Sequence, residues 1–429
     1  MDEVLLGSVC EACVRAGRGD LLARHLHRQH KSRRVRVCGA HSFGSIIRAY
    51  GFLKDLESAW DAWNDMRRRR ILPTSITIGC MVEAQVANGD PEGGYQLIHE
   101  LSADVETKPL LNAIIYCSVL KGFTHQKAFN RVWVVYNEMI AEKLQFSIVT
   151  YNAIINACAR SAEMSRVPPL LEDMARQKIE PNLVTYSTIL KGYCQESRLD
   201  KAFELLEAMK QSKHFKPDEI TYNTLIDGCA QRGMYDQGIK LLEEMQQAGV
   251  PPSTFTLSVL VKLCNRGKRP ERAFGLVEDL AKRFRLQPNV HVYDNLIHAC
   301  TAHGDLPRAL EVLECMVQHK VRPDARTYTL LIRGCLEASA LRQASGLVRV
   351  ACGLRDLPPC LSTLSHGAAL LQLRGAPPAE LVKEVLEAMV SWGGEEHQAM
   401  QLCKDLKGVP GLKIDAQFSM SLASKALRA

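Results

Sequence analysis

No run of eighteen apolar residues occurs in this chain of 429 residues, so no membrane-spanning helix is expected. The start, Met1-Asp2-Glu3, shows neither the basic opening nor the apolar stretch of a secretory signal. Acidic residues never gather as a metal-dependent nuclease would need, since Glu395, Glu396, Asp405 and Asp415 are too sparse. Cys10 and Cys13 form a Cys-x-x-Cys, but no second Cys or His pair follows at zinc spacing. His298 and His303 lack a third ligand candidate and are expected at the surface. No metal, no cofactor and no enzymatic centre are therefore expected. Charge is not one-sided either: the net value of +7 permits a polyanion partner without requiring one. Arg67-Arg68-Arg69-Arg70 reads as a solvated helix end that complements the helix dipole.

What is present is repetition. Tyr151, Tyr186, Tyr222, Tyr293 and Tyr328 recur on a period of 35 or 36 residues, with Leu257 on the missing rung. Cys158, Cys194, Cys229, Cys264, Cys300 and Cys335 follow the rungs at seven or eight residues. Met174, Met209, Met245 and Met316 lie 23 residues after theirs, with Leu280 and Ala351 in the same slot. A fixed period of this length means one small unit stacked repeatedly. The 15 cysteines thus read as small apolar core residues in a reducing compartment, not as a disulfide framework.

The unit itself is legible. Apolar residues at 222, 225, 226 and 229 make a helical stripe, repeated at 151, 154, 155 and 158. A break follows, at Gly233 in one copy and Gly304 in another, and then a second stripe such as Leu241, Leu242 and Met245. Pro270 and Pro307 sit where this second helix should begin. Ala202, Gly238, Ala273, Ala309 and Ala344 give it a small early slot, where two helices approach closely. Pro181, Pro217, Pro252, Pro288, Pro323 and Pro358 close the units. Neither helix buries its stripe alone, so the expected fold is all-α: a right-handed α-solenoid of stacked helix–turn–helix repeats. Nine units are expected, at 40–74, 75–112, 113–147, 148–182, 183–218, 219–253, 254–289, 290–324 and 325–359. Residues 1–39, rich in arginine, read as a worn N-terminal repeat rather than an organelle transit segment. Residues 360–393 read as a worn C-terminal repeat, and 394–429 as a tail adding one capping helix.

The strings Val149-Thr150-Tyr151-Asn152-Ala153-Ile154-Ile155-Asn156-Ala157-Cys158 and Ile220-Thr221-Tyr222-Asn223-Thr224-Leu225-Ile226-Asp227-Gly228-Cys229 resemble the first helix of a pentatricopeptide repeat. Ala202-Phe203-Glu204-Leu205-Leu206-Glu207-Ala208-Met209 and the closing Phe215-Lys216-Pro217-Asp218 are similar to the rest of that repeat. The tetratricopeptide repeat competes less well, because no copy carries Trp-x-x-Leu-Gly and no adjacent rungs stand 34 apart. The even length of the units, and a tail without the His-x-Glu and Cys-x-x-Cys pairs of an editing domain, resemble the plain (P) class.

The resemblance implies single-stranded RNA binding at one base per repeat, in a mitochondrion or chloroplast. It implies that the residue after each rung and the last residue of the repeat read the base edge. The residue two before the rung packs on the base face. The reading pairs are then Asn152 with Asn182, Ser187 with Asp218, Asn223 with Ser253, Ser258 with Asn289, Asp294 with Asp324, and Thr329 with Pro359. The packing set is Val149, Val184, Ile220, Phe255, His291 and Arg326. By the family's pattern, Asn with Asn or Ser reads C and sometimes U, Ser with Asp reads G, and Ser with Asn reads A. Units 148–182 to 254–289 would then read pyrimidine-G-C-A, 5′ to 3′.

Side-chain chemistry fits this. An Asn amide offers a donor and an acceptor, Ser leaves room for a purine, and a β-branched or aromatic residue wedges between bases. These short polar residues at helix starts have no expected core role, although capping alone also favours them there. Gly44 with Thr74, Gly79 with Asn112, and Cys117 with Ser147 predict loose or absent contact in the early units, and Asp294 with Asp324 places two carboxylates toward RNA. The expected partners are RNA and other RNA-processing proteins, with the chain itself a monomer. A helical-repeat scaffold that binds protein without RNA remains the alternative.

Overall fold

The computed structural model describes residues 3–32, 35, 37–212, 215–354, 377–392, 395–409, 412 and 415–426. Pro358, Pro359 and most of the worn repeat 360–393 lie outside them, as do the side chains at 30–34. Two compact units divide the chain, Met1–Lys216 and Pro217–Ala429. Among the described residues both are helical, without strands, and no helix is long and apolar enough to cross a membrane.

The first unit holds six helix pairs: α1 (Glu3–Arg15) with α2 (Gly19–Ser32), α3 (Ala40–Phe52) with α4 (Leu56–Arg68), α5 (Ser75–Ala87) with α6 (Pro91–Ser102), α7 (Ala113–His125) with α8 (Phe129–Ala141), α9 (Ile148–Ser161) with α10 (Val167–Arg176), and α11 (Leu183–Gln195) with α12 (Leu199–Gln211). Each first helix packs on the first helix of the next pair, from α1 through to α11. Gly51 on α3 makes one such approach possible, since a methyl group there would lie 2.9 Å from Ala84 Cα on α5. The short α10 starts late because Pro168 and Pro169 are tolerated only in a first turn, and a 3-10 turn, Met164–Arg166, fills the gap.

The second unit repeats the scheme: α13 (Glu219–Gln231) with α14 (Tyr235–Gln247), α15 (Thr254–Arg266) with α16 (Glu271–Phe284), α17 (Val290–Ala302) with α18 (Leu306–Gln318), and α19 (Ala325–Glu337) with α20 (Leu341–Ala351). Three helices follow: α21 (Ala379–Trp392), α22 (Glu396–Leu406) and α23 (Ala416–Ala426). The tail beyond residue 394 thus carries two helices where one was expected. Both bury apolar residues, Leu402, Cys403 and Leu406 on α22 and Leu422 on α23.

The rungs are core. Tyr151, Tyr222, Leu257, Tyr293 and Tyr328 are buried, as are Met174, Met209, Met245 and Met316. Sequence reading missed where the tyrosine hydroxyls go. Each needs a partner in an apolar interior, and three find a carboxylate in their own second helix: Tyr116 with Glu138 at 2.9 Å, Tyr151 with Asp173, and Tyr222 with Glu244 at 3.2 Å. Tyr186 has Ala208 in that position, and its ring is only half-buried, against Phe215 at 5.1 Å.

Burial also governs the cysteine ladder. It pushes the thiols of Cys229, Cys264 and Cys300 up to about 11 and that of Cys158 up to about 12. The thiolate is the reactive form, so these four should be inert in the folded protein. Cys38 is exposed. A maleimide near neutral pH should label Cys38 within minutes and the four ladder cysteines only after denaturant is added, as read by peptide mass mapping. Rapid native labelling of Cys229 would contradict the packing.

Candidate nucleic-acid interface

In six consecutive repeats the first-helix start places an exposed apolar side chain. Ile76, Ile114, Val149 and Val184 in the first unit are 54–70% exposed, and Ile220 and Phe255 in the second are 65% and 61% exposed. All stand two residues before a rung, in the first turn of a first helix. An isolated exposed aliphatic residue is ordinary, but one at the same position of successive repeats within each unit is a binding-surface pattern. His291 and Arg326 continue the row as exposed side chains. Ile76 and Ile114 lie outside the packing set expected from the sequence. Their position before Ile78 and Tyr116 was the available signal.

The last residue of each repeat caps the next first helix. Asn182, Asp218, Ser253, Asn289 and Asp324 each accept from a backbone N–H in the first turn, at 2.8–3.5 Å. Capping fixes these side chains at the helix edge, beside the exposed row. An asparagine that caps through Oδ1 keeps its Nδ2 donor.

A threonine recurs one residue before the rung, and in two repeats it draws the expected reading pair together. Thr77, Thr150, Thr185, Thr221, Thr256 and Thr327 are all fully buried. Thr185 Oγ1 lies 2.7 Å from Asn152 Oδ1 and 3.0 Å from Asn182 Oδ1, and Asn152 Nδ2 stands 3.5 Å from Asn182 Oδ1. Thr327 Oγ1 likewise lies 2.7 Å from Asp294 Oδ1 and 3.2 Å from Asp324 Oδ1. In these two repeats the paired residues, thirty apart in sequence, share one hydroxyl. Sequence reading missed this threonine, although its recurrence was visible.

The slot after the rung behaves differently from expectation. Asn152, Ser187 and Thr329 are half-buried, but Asn223, Ser258 and Asp294 are buried. The expectation that this slot has no core role therefore fails at those three positions. At Ser258 and Asp294 the side chain faces the neighbouring first helix. Ser258 Oγ accepts from Asn295 Nδ2 at 2.8 Å, and Asn223 Nδ2 donates to Glu219 Oε1 at 3.1 Å. Burial raises the Asp294 carboxyl above its ordinary value, against the opposing pull of the Thr327 hydroxyl. Ser187 belongs to the first unit and Asp218 to the second, and each is placed only within its own. Gly44 and Cys117 occupy the slot in early repeats, both buried, and a methyl group on Gly44 would touch Thr77 at 3.5 Å.

The remaining candidates are peripheral. Arg67 to Arg70 are exposed at the end of α4, with Arg69 donating to Val37 O at 3.0 Å. His298 and His303 are exposed and each meets Asn265 at 3.2 Å.

Models of the PPR repeat family match residues 111–160, 146–195, 181–231, 217–266 and 288–337, and that of the PPR repeat matches 41–71. A pentatricopeptide repeat-containing protein of Arabidopsis thaliana is 27% identical over 153 residues, covering 34% of this chain and 18% of that protein. A mitochondrial one from the same plant is 30% identical over 73 residues, covering 17% of this chain and 9% of its own length. The crystal structure of the maize pentatricopeptide repeat protein PPR10 aligns with 98% of this chain and 61% of that one, at 18% identity and a TM-score of 0.58. The chain thus spans less than a fifth of these curated relatives and under two thirds of the maize protein.

Proposed function

The chain belongs to the pentatricopeptide repeat family, and from that premise we propose that it binds single-stranded RNA at one base per repeat. The supporting observation is the set of exposed apolar side chains, Ile76 to Val184 in one unit and Ile220 and Phe255 in the other, each beside a polar residue that caps its helix. Unstacked bases pack on such side chains, while the polar pair discriminates their edges. The maize relative is known in complex with an 18-nt psaJ RNA element.

In this reading Asn152 and Asn182 take a pyrimidine, Ser187 and Asp218 a guanine, Asn223 and Ser253 a cytosine, and Ser258 and Asn289 an adenine. The protein acts as a plain-class adaptor of organelle transcripts and not as an enzyme. By holding a segment unpaired or shielding it from exonucleases, it serves stability, processing, splicing or translation. Ile76 and Ile114 extend the packing edge into repeats whose reading slots carry Gly79 and Cys117, so those repeats add affinity without sequence preference.

A gel shift comparing an RNA containing 5′-CGCA with one scrambled at those four bases tests the reading. The scrambled RNA should bind at least about tenfold more weakly, a difference of about 1.4 kcal/mol. Binding should also weaken as salt rises, with a log–log slope near −0.7 per phosphate neutralised. Equal affinity for both RNAs sinks the base assignment, and no salt-sensitive RNA affinity at all favours the protein-binding scaffold.

A further inference from the structure

One repeat carries a polar group that the paired reading does not use. Glu219 is the first residue of α13 and stands one turn ahead of Asn223 on the same face. Its Oε1 accepts from Asn223 Nδ2 at 3.1 Å and also from Ser253 Oγ. A single carboxylate oxygen therefore joins the two residues assigned to read this base. Asn223 is only 1% exposed, and its Oδ1 is buried without a hydrogen-bond partner. Glu219 and Ser253 are half-buried. A base arriving beside Ile220 thus meets the carboxylate and the serine, with the asparagine amide behind them.

We propose that Glu219 is a third base-reading group of repeat 219–253 and makes that repeat select cytosine over uracil. The inference rests on the proposed RNA binding and deepens it, because the reading pair alone leaves C and U less sharply separated. An ionised carboxylate only accepts hydrogen bonds. Its Oε1 is engaged by Asn223 and Ser253, and Oε2 is the atom a ligand takes. Cytosine presents the N4 amino group as a donor, a pairing that carboxylates make with this base. Uracil presents the O4 carbonyl at the same place, and two acceptors then face each other. Asn223 acts through Glu219, holding the carboxylate in place.

The chain contains a partial comparison. The residue equivalent to Glu219 is Ile148 in repeat 148–182, which lacks the acid but also ends in Asn182 where repeat 219–253 ends in Ser253, so substitutions of Glu219 itself separate the two effects. Uracil should therefore be tolerated opposite repeat 148–182 and rejected opposite repeat 219–253.

The experiment measures affinities of the full chain for RNAs containing 5′-CGCA, 5′-UGCA and 5′-CGUA. For the unaltered protein, 5′-CGUA should bind about tenfold more weakly than 5′-CGCA, and 5′-UGCA within about twofold of it. In Glu219→Gln, whose amide can present either a donor or an acceptor, the tenfold gap should close to about twofold. Glu219→Asp keeps the charge at the helix start and shortens the reach, so it should also close the gap while leaving the melting temperature unchanged. A C-over-U preference that survives both substitutions overturns the role of Glu219 and leaves RNA binding standing. An equal shift of all three RNAs also overturns it, since the carboxylate would then act as charge alone. Failure of the unaltered protein to distinguish 5′-CGCA from its scrambled version overturns the base-per-repeat reading itself, and this inference with it.

Discussion

Replacing Leu242 by Asp should cost at least about 4 kcal/mol and unfold the repeats around it. Leu242 is 4% exposed on α14, between Leu241 and Met245, and α14 packs on both α13 and α15. Truncation to Ala would already remove about 2–5 kcal/mol through lost burial and a residual cavity. An aspartate adds an unpaired charge in the same place. In a stack of repeats each unit is held by its neighbours, so the damage should stay local before it spreads. Hydrogen exchange should show residues 219–266 losing protection first, and urea unfolding should begin at lower concentration with a broader transition. Lys240, two residues earlier and exposed, gives the control: Lys240→Asp should change stability by less than about 0.5 kcal/mol. A Leu242→Asp protein that melts with the unaltered one would mean that the second-helix stripe is not the core.

How much of this was legible in the sequence depends on how far a residue's environment is set by its own helix. The apolar stripes, the methionine slot and the closing prolines were readable because each is fixed by helical periodicity or by backbone geometry. The carboxylates that receive the tyrosine hydroxyls, Glu138, Asp173 and Glu244, were not. An acid on a helix surface breaks no pattern, and its partner lies 22 residues away. Turns between helices were half readable. Gly233 and Gly304 mark two of them, but Lys54, Lys127, Ser197 and Lys268 take the same left-handed conformation elsewhere, with φ between 57° and 62°. A side chain there points to solvent, so glycine is favoured without being required.

The candidate site is legible in the sequence as a set of positions and not as a set of environments. The resemblance points to the slot after the rung and the end of the repeat, and the helix caps are where the capping rules put them. Burial of Asn223 and Asp294 could not be read, because it depends on the first helix of the next repeat. The hydroxyl of Thr185 reaches a residue 33 positions before it, and Glu219 meets one 34 positions after it. Local rules see an N-terminal acid that favours the helix dipole at Glu219. Only the stacked arrangement turns it into a group that a base would meet.

Asp294 is where the reading slot and the fold conflict most, and Asp294→Asn should stabilise the protein by about 2 kcal/mol at neutral pH. The carboxylate is 1% exposed. Its Oδ1 accepts from Thr327 Oγ1 at 2.7 Å, an interaction that asparagine keeps. Its Oδ2 is buried without a hydrogen-bond partner, with Arg326 Nε at 3.9 Å on an exposed side chain. Burial raises its pKa most. The Asp324 carboxylate pushes the same way, while the Thr327 hydroxyl and the charges of Arg326 and His291 oppose. A carboxyl whose pKa is higher in the folded state holds its proton more tightly there than in the unfolded chain. Folding therefore carries no penalty from this group below its ordinary value of 3.8, and the penalty grows as pH rises through that value to the folded one. Above the folded value it is constant. The gain from Asp294→Asn should accordingly be full at neutral pH and vanish as pH falls toward about 4, as read from urea midpoints across that range. A gain in stability that does not change with pH would mean that the asparagine helps by packing and that Asp294 is not held against its charge.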